Sequence, residues 1–180
     1  MIDTDFVFLP CSDEELQRSA RRLNTSFPYD LSVTIDDTSF RNDEAMKWIR
    51  DEDVFTLNRY AQLLDGLGDE ETDRFLSAVD FANQYLGGVN DLQTAVKIGT
   101  SLHAFTLYPN VMCDEDLGAT LLGEYDVPEE LWEFIDKERL GKHFRENESG
   151  RYTDKGYVGV NDWSAIRQYL KPKEGMGGIE

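Results

Sequence analysis

Arg151-Tyr152-Thr153-Asp154-Lys155-Gly156-Tyr157-Val158-Gly159-Val160 decides the fold class. Two β-favouring runs flank Asp154-Lys155-Gly156, which reads as a three-residue hairpin loop with its glycine in the left-handed region. Helical patterns precede this hairpin. Asp136 opens one that runs to about Arg145, and Pro128 suits the first turn of another over Pro128–Ile135. An acidic helix is expected from about Asp114 to Tyr125, after a strand at Leu102–Tyr108 stopped by Pro109. Beyond the hairpin, Asn161–Leu170 reads as a short helix and Lys171 onward as a loose tail. Helices combined with a local antiparallel hairpin indicate an α+β chain.

The middle of the chain reads as helical. Thr56 is the expected cap of a helix carrying Leu57, Tyr60, Leu63 and Leu64, ended by Gly66 and Gly68. Asp69 starts a second, with Phe75, Leu76, Val79, Ala82, Asn83 and Leu86 at helical spacing, stopped by Gly87-Gly88. Asn90 is the expected cap of a third through Val96. Further upstream, Asp5–Leu9 reads as a strand closed by Pro10. Ser12 and Glu15 form a capping box for a helix with an apolar stripe of Leu16, Ala20 and Leu23. Leu31–Ile35 alternates like a half-buried strand, and a short helix is expected around Ala45–Ile49. The expected domains are an N-terminal α+β domain (1–55), a helical middle domain (56–98) and a C-terminal α+β domain (99–180). Phe6, Phe8, Phe75, Phe81, Phe105, Trp132 and Phe134 are expected in the core. Tyr125 and Trp132, flanking the Pro128 turn, are candidates for an interface.

Charge is the outlier. The 180 residues carry 36 acids against 18 Lys and Arg, a formal net charge of −18. Self-repulsion at that charge favours a cationic partner, metal ions or a high-salt setting. Binding DNA requires cations aimed at phosphates, so direct binding of nucleic acid is not expected, nor is binding to an anionic membrane. A protein whose own surface binds DNA is a better fit. The acids do not gather in a tail. The middle third is the most lopsided, with 10 acids against 2 bases in residues 61–120. The opening Met1–Asp5 has no basic stretch ahead of an apolar one, and no apolar run is long enough to span a bilayer. A cytoplasmic location is expected.

Enzyme chemistry finds little support. His103 and His143 lack metal-ligand spacing and read as strand and helix decoration. Cys11 and Cys113 are far apart and read as two thiols, Cys113 as a small buried one beside a helix start. No phosphate-binding glycine motif occurs. Asp114-Glu115-Asp116 lacks the glycine and distal Glu of a calcium loop. No catalytic residue, cofactor or metal is therefore expected.

What remains is an array of carboxylates. At i,i+3 and i,i+4 spacing, helical side chains stand about 5–6 Å apart, close enough to imitate a row of phosphates. Asp65, Asp69, Glu70, Asp73 and Asp80 offer one series. Asp114, Glu115, Asp116, Glu124, Glu129, Glu130, Glu133 and Asp136 offer another. A solvated acidic face is the plainer reading of the same residues.

One series of motifs resembles the C-terminal region of the ArdA antirestriction family. It comprises Cys113–Ala119, Glu124-Tyr125, Val127–Leu131, Ile135-Asp136, Leu140-Gly141-Lys142 and Tyr152–Val158, in order over some fifty residues. Phe6–Pro10, the helix start at Leu57-Asn58-Arg59 and the helical middle are also similar, so the resemblance covers about residues 5–160. The chain departs from the family in lacking the strand and glycine turn expected before Phe6. Leu140 and Lys142 replace the usual Tyr and Arg, and the segment after Val160 looks like an extension. The resemblance implies an elongated chain of three small domains and a homodimer through the C-terminal domain. It also implies a DNA mimic that occupies the DNA-binding groove of a type I restriction-modification enzyme and protects mobile-element DNA. Two rivals stand beside it: a mimic aimed at a CRISPR effector or nucleoid protein, and an acidic halophilic-type enzyme.

Overall fold

The computed structural model describes residues 5–23, 52–148 and 150–171. In chain order their elements are α1 (Asp13–Arg22), α2 (Val54–Gly66), α3 (Asp69–Tyr85), α4 (Leu92–Thr100), a 3-10 turn (Leu102–Ala104) and β1 (Phe105–Pro109). Then come α5 (Asp114–Glu124), a 3-10 helix (Glu129–Phe134), α6 (Lys137–Asn147), β2 (Arg151–Thr153), β3 (Gly156–Val160) and α7 (Trp163–Ile166). The class is α+β. The chain divides into two compact units, one of residues up to Gly68 with Asn90–Thr100, the other of Asp69–Val89 with Ser101 onward. The helices expected to form one middle domain contribute to both. The strand read at Leu31–Ile35, the helix around Ala45–Ile49 and the tail after Lys171 lie outside the described residues.

In the first unit, Ser12 caps α1 by accepting from the Glu15 amide at 3.2 Å, the Ser12 half of the expected capping box. Leu16 and Ala20 face inward. The cap of α2 is Asp53 rather than Thr56. Its carboxylate accepts from the amides of Phe55 (2.9 Å) and Thr56 (3.1 Å), and the Thr56 hydroxyl donates back to it. A charged acceptor at the positive end of the helix outcompetes a hydroxyl one turn in. Asp91, not Asn90, likewise accepts from Thr94 N at the start of α4.

The Asp5–Leu9 segment is not a strand. Its alternation persists, but the phase is the reverse of the expected one. Phe6 and Phe8 are 75% and 89% exposed, while Asp5, Val7 and Leu9 are half-buried. No described strand pairs with it. Its anchor lies just beyond, where the buried Asn58 carboxamide accepts from Cys11 N and donates to Cys11 O, both at 2.9 Å.

The second unit is built on a three-stranded antiparallel sheet of order β1-β3-β2. The hairpin read from sequence is present. Its loop is two residues, Asp154-Lys155, and not the expected three, because Gly156 belongs to β3, pairs with Thr153 and has φ +136°, outside the expected αL conformation. A Cβ there would stand 2.2 Å from the Tyr108 carbonyl oxygen, so both conformation and space demand glycine. β3, the central strand, is buried along its length. Tyr157 points to one face, where it joins Val111, Leu117, Leu121, Tyr108, Leu140, Phe144 and Tyr152. By strand alternation Val158 and Val160 point to the other face. Helix α3 packs on the sheet, contributing buried Phe75, Ala78, Val79, Phe81 and Ala82. The Leu102–Tyr108 strand starts three residues late, because Leu102–Ala104 closes a 3-10 turn through Ala104 N to Ser101 O.

Helices α5 and α6 pack closely through two glycines. A Cβ on Gly118 would lie 1.9 Å from Lys137 O, and one on Gly141 1.9 Å from Asp114 O. The Pro128–Ile135 helix is a 3-10 helix with no buried residue. Six residues are too few to distinguish 3.0 from 3.6 residues per turn by pattern. Phe134 is 77% exposed and Trp132 half-buried, so the core assignment holds for Phe75, Phe81 and Phe105 but not for these two or for Phe6 and Phe8.

Candidate functional site

The first carboxylate series does not sit on one body. Asp65 lies on α2 of the first unit; Asp69, Glu70, Asp73 and Asp80 lie on α3 of the second. Asp69, Asp73 and Asp80 share a helical stripe spanning about 16 Å at the standard rise. The series is partly neutralised. Asp73 pairs with Lys155 at 3.2 Å, and Glu70 approaches Arg74 at 3.9 Å. Asp80 is half-buried, while the other four residues of the series are exposed.

The second series lies wholly in the second unit. Glu115 and Asp116 stand exposed in the first turn of α5, where the helix dipole favours negative charge. Glu129, Glu130 and Glu133 are exposed on the 3-10 helix. Asp136 is exposed and caps α6, accepting from Arg139 N at 3.0 Å. Glu124, at the end of α5, accepts from the Tyr108 hydroxyl.

Asp114 departs from the surface reading. Its two oxygens accept from Arg145 Nε at 2.7 Å and Nη2 at 3.1 Å, and the Tyr152 hydroxyl donates to it at 2.6 Å. Side-chain exposures of 19% for Asp114 and 25% for Arg145 place the pair mostly inside. The Arg145 hydrogen bonds hold the Asp114 carboxyl below its usual range, against the opposing effect of burial. Asp114 therefore clamps α5 to α6 and β2. Asp114→Ala leaves a guanidinium without its partner and is expected to cost about 2 kcal/mol in a urea melt. The sign of the pH effect follows from the depressed pKa. The clamp is fully present above the unfolded carboxyl pKa near 4 and is lost as pH falls through the lower folded value. The acid limb of the stability curve is accordingly expected to flatten in Asp114→Asn.

Tyr157 is another polar group turned inward. Its ring is fully buried and its hydroxyl has no hydrogen-bond partner among the described residues. Burial pushes its pKa up, with the nearby Glu148 carboxylate adding to the rise. Removing an unpaired buried hydroxyl relieves a desolvation cost. Tyr157→Phe is therefore expected to raise stability by about 1 kcal/mol, read as a higher melting temperature. A loss of similar size would show that the hydroxyl is satisfied in solution.

The α5–α6 packing also assembles residues that sequence spacing does not connect. Met112, Cys113, Asp114, Glu115, Glu138 and Tyr152 line an open cavity of about 440 Å³. Cys113 is exposed there, not buried, and both Cys11 and Cys113 are free thiols. Glu138 and Glu115 are 23 positions apart, and the close contacts at Gly118 and Gly141 bring their helices together. Asp126 and Glu146 are further exposed acids outside the expected series. His103 and His143 are exposed, His143 beside Asn147 at 3.0 Å. No helix among the described residues is long and apolar enough to cross a membrane. Comparison with protein-family models, with curated proteins and with solved structures finds no match to this chain.

Proposed function

We propose that this chain is an antirestriction protein of the ArdA type. It acts without catalysis, as an acidic DNA mimic that fills the DNA-binding groove of a type I restriction-modification enzyme. In the cell it protects mobile-element DNA, working as a cytoplasmic homodimer. One observation carries the reading: eleven of the thirteen carboxylates singled out by spacing are exposed, on or beside ordered helices. A partner that binds DNA presents cations where phosphates would lie, and exposed carboxylates meet them without large rearrangement. The resemblance of the motif series from Cys113 to Val158 to the ArdA family supports the reading. The test is competition. The protein is expected to displace duplex DNA from a purified type I methyltransferase, less effectively as salt rises. No displacement at micromolar protein sinks the reading. Displacement of DNA from a nucleoid protein or CRISPR effector alone would move the target and keep the mimicry.

The cavity beside Cys113 favours a second reading, an acidic enzyme. That reading expects Cys113→Ala or Glu138→Gln to abolish activity singly, whereas mimicry expects small, cumulative losses.

A further inference from the structure

The 3-10 helix Glu129–Phe134 sorts its side chains into three columns, since residues three apart eclipse at 3.0 per turn. Glu129 and Trp132 form one. It is anchored by Trp132, whose indole N–H donates to Val127 O at 2.8 Å and whose ring lies under Lys137 Nζ. Glu130 and Glu133 form the second, both exposed. Leu131 and Phe134 form the third, at 49% and 77% exposure. A single exposed apolar residue is ordinary, but two aligned on one short helix with no fully buried residue are less so. Between Glu124 and Asp136 the chain holds six acids and no Lys or Arg.

We propose that the Leu131–Phe134 column is an apolar anchor for a basic partner, seating itself in a groove lined by Lys and Arg. The inference rests on the mimic reading above and adds what duplex DNA cannot offer. Lys and Arg reach acids with their charged heads while laying aliphatic stems along apolar surface, and a guanidinium stacks on an aromatic face. A column of Leu and Phe beside a column of Glu matches both halves of such side chains. A second copy of this chain is a poorer occupant, because a two-fold contact would set the same acids against themselves. Phosphate imitation weakens with salt, whereas apolar burial does not. The anchor thus supplies binding that survives when the charge is screened.

The test compares wild type with the Leu131→Ala/Phe134→Ala double variant in DNA displacement from a type I methyltransferase, at low and at high salt. The variant is expected to compete about 10- to 100-fold more weakly at high salt, with its melting temperature unchanged because both side chains are exposed. Phe134→Tyr retains the ring and is expected to compete like wild type. If wild type competes and the double variant matches it at both salts, the anchor is overturned and the mimic reading stands. If wild type fails to compete even at low salt, the type I reading falls and takes the anchor with it. If the double variant turns a wild-type dimer into a monomer, a second copy covers this face and the proposal is overturned.

Discussion

Gly141→Ala is expected to unfold or severely loosen the second unit. Its new Cβ would sit 1.9 Å from Asp114 O and 2.8 Å from Gly118 N, so backbone must give way. Helix propensity alone predicts the opposite, a gain of about 1 kcal/mol over glycine. The sign therefore reports which effect wins. Overpacking against backbone commonly costs about 1–3 kcal/mol and more when nothing flexible can move, so a net loss near 3 kcal/mol is expected. That is a large part of a small unit's stability. Gly123→Ala is the matched control. It lies on α5 with nothing within 4 Å of the added methyl, and should leave stability unchanged or slightly raised. Urea melts of the two variants read the difference directly. Equal stability in both would mean that the helices do not meet through these glycines.

Charge removal in numbers is expected to have the largest effect on binding. Exchanging Glu115, Asp116, Glu129, Glu130 and Glu133 for their amides removes five exposed charges without touching the Asp114 clamp. An exposed ion pair is worth about 0.2–1 kcal/mol, so each single exchange should weaken DNA displacement only a fewfold. Together they should weaken it on the order of 100-fold and flatten its dependence on salt. Competition measured across a salt series checks both. A single exchange that abolishes competition would point instead to one indispensable residue, as an enzyme requires.

Much of the second unit was legible because its signals are local. Asp136 as a cap, Asp69 as a start and Gly156 in the hairpin each act within a few residues. Signals that depend on distant partners were not. Phe6 and Phe134 are apolar by type, yet whether they meet a core depends on chain far from them. Asp114 looked like one more surface acid, because the residues that claim it, Arg145 and Tyr152, are 31 and 38 positions away. The same reason hid Glu138. A carboxylate array can be counted in sequence, but which members are spent inside is a matter of packing.

The strand order β1-β3-β2 has a consequence for the order of assembly. β2 and β3 are joined by a tight loop and pair locally, an event on the microsecond scale. β1 must wait. Phe105 pairs with Val160 and Pro109 with Gly156, across all of α5 and α6. During synthesis β1 leaves the ribosome well before β3, its strand partner among the described residues, exists, with an edge open to strangers. The acids of the intervening stretch give that nascent segment like-charged flanks while it waits. The acids exposed on the finished protein thus also guard the unfinished one.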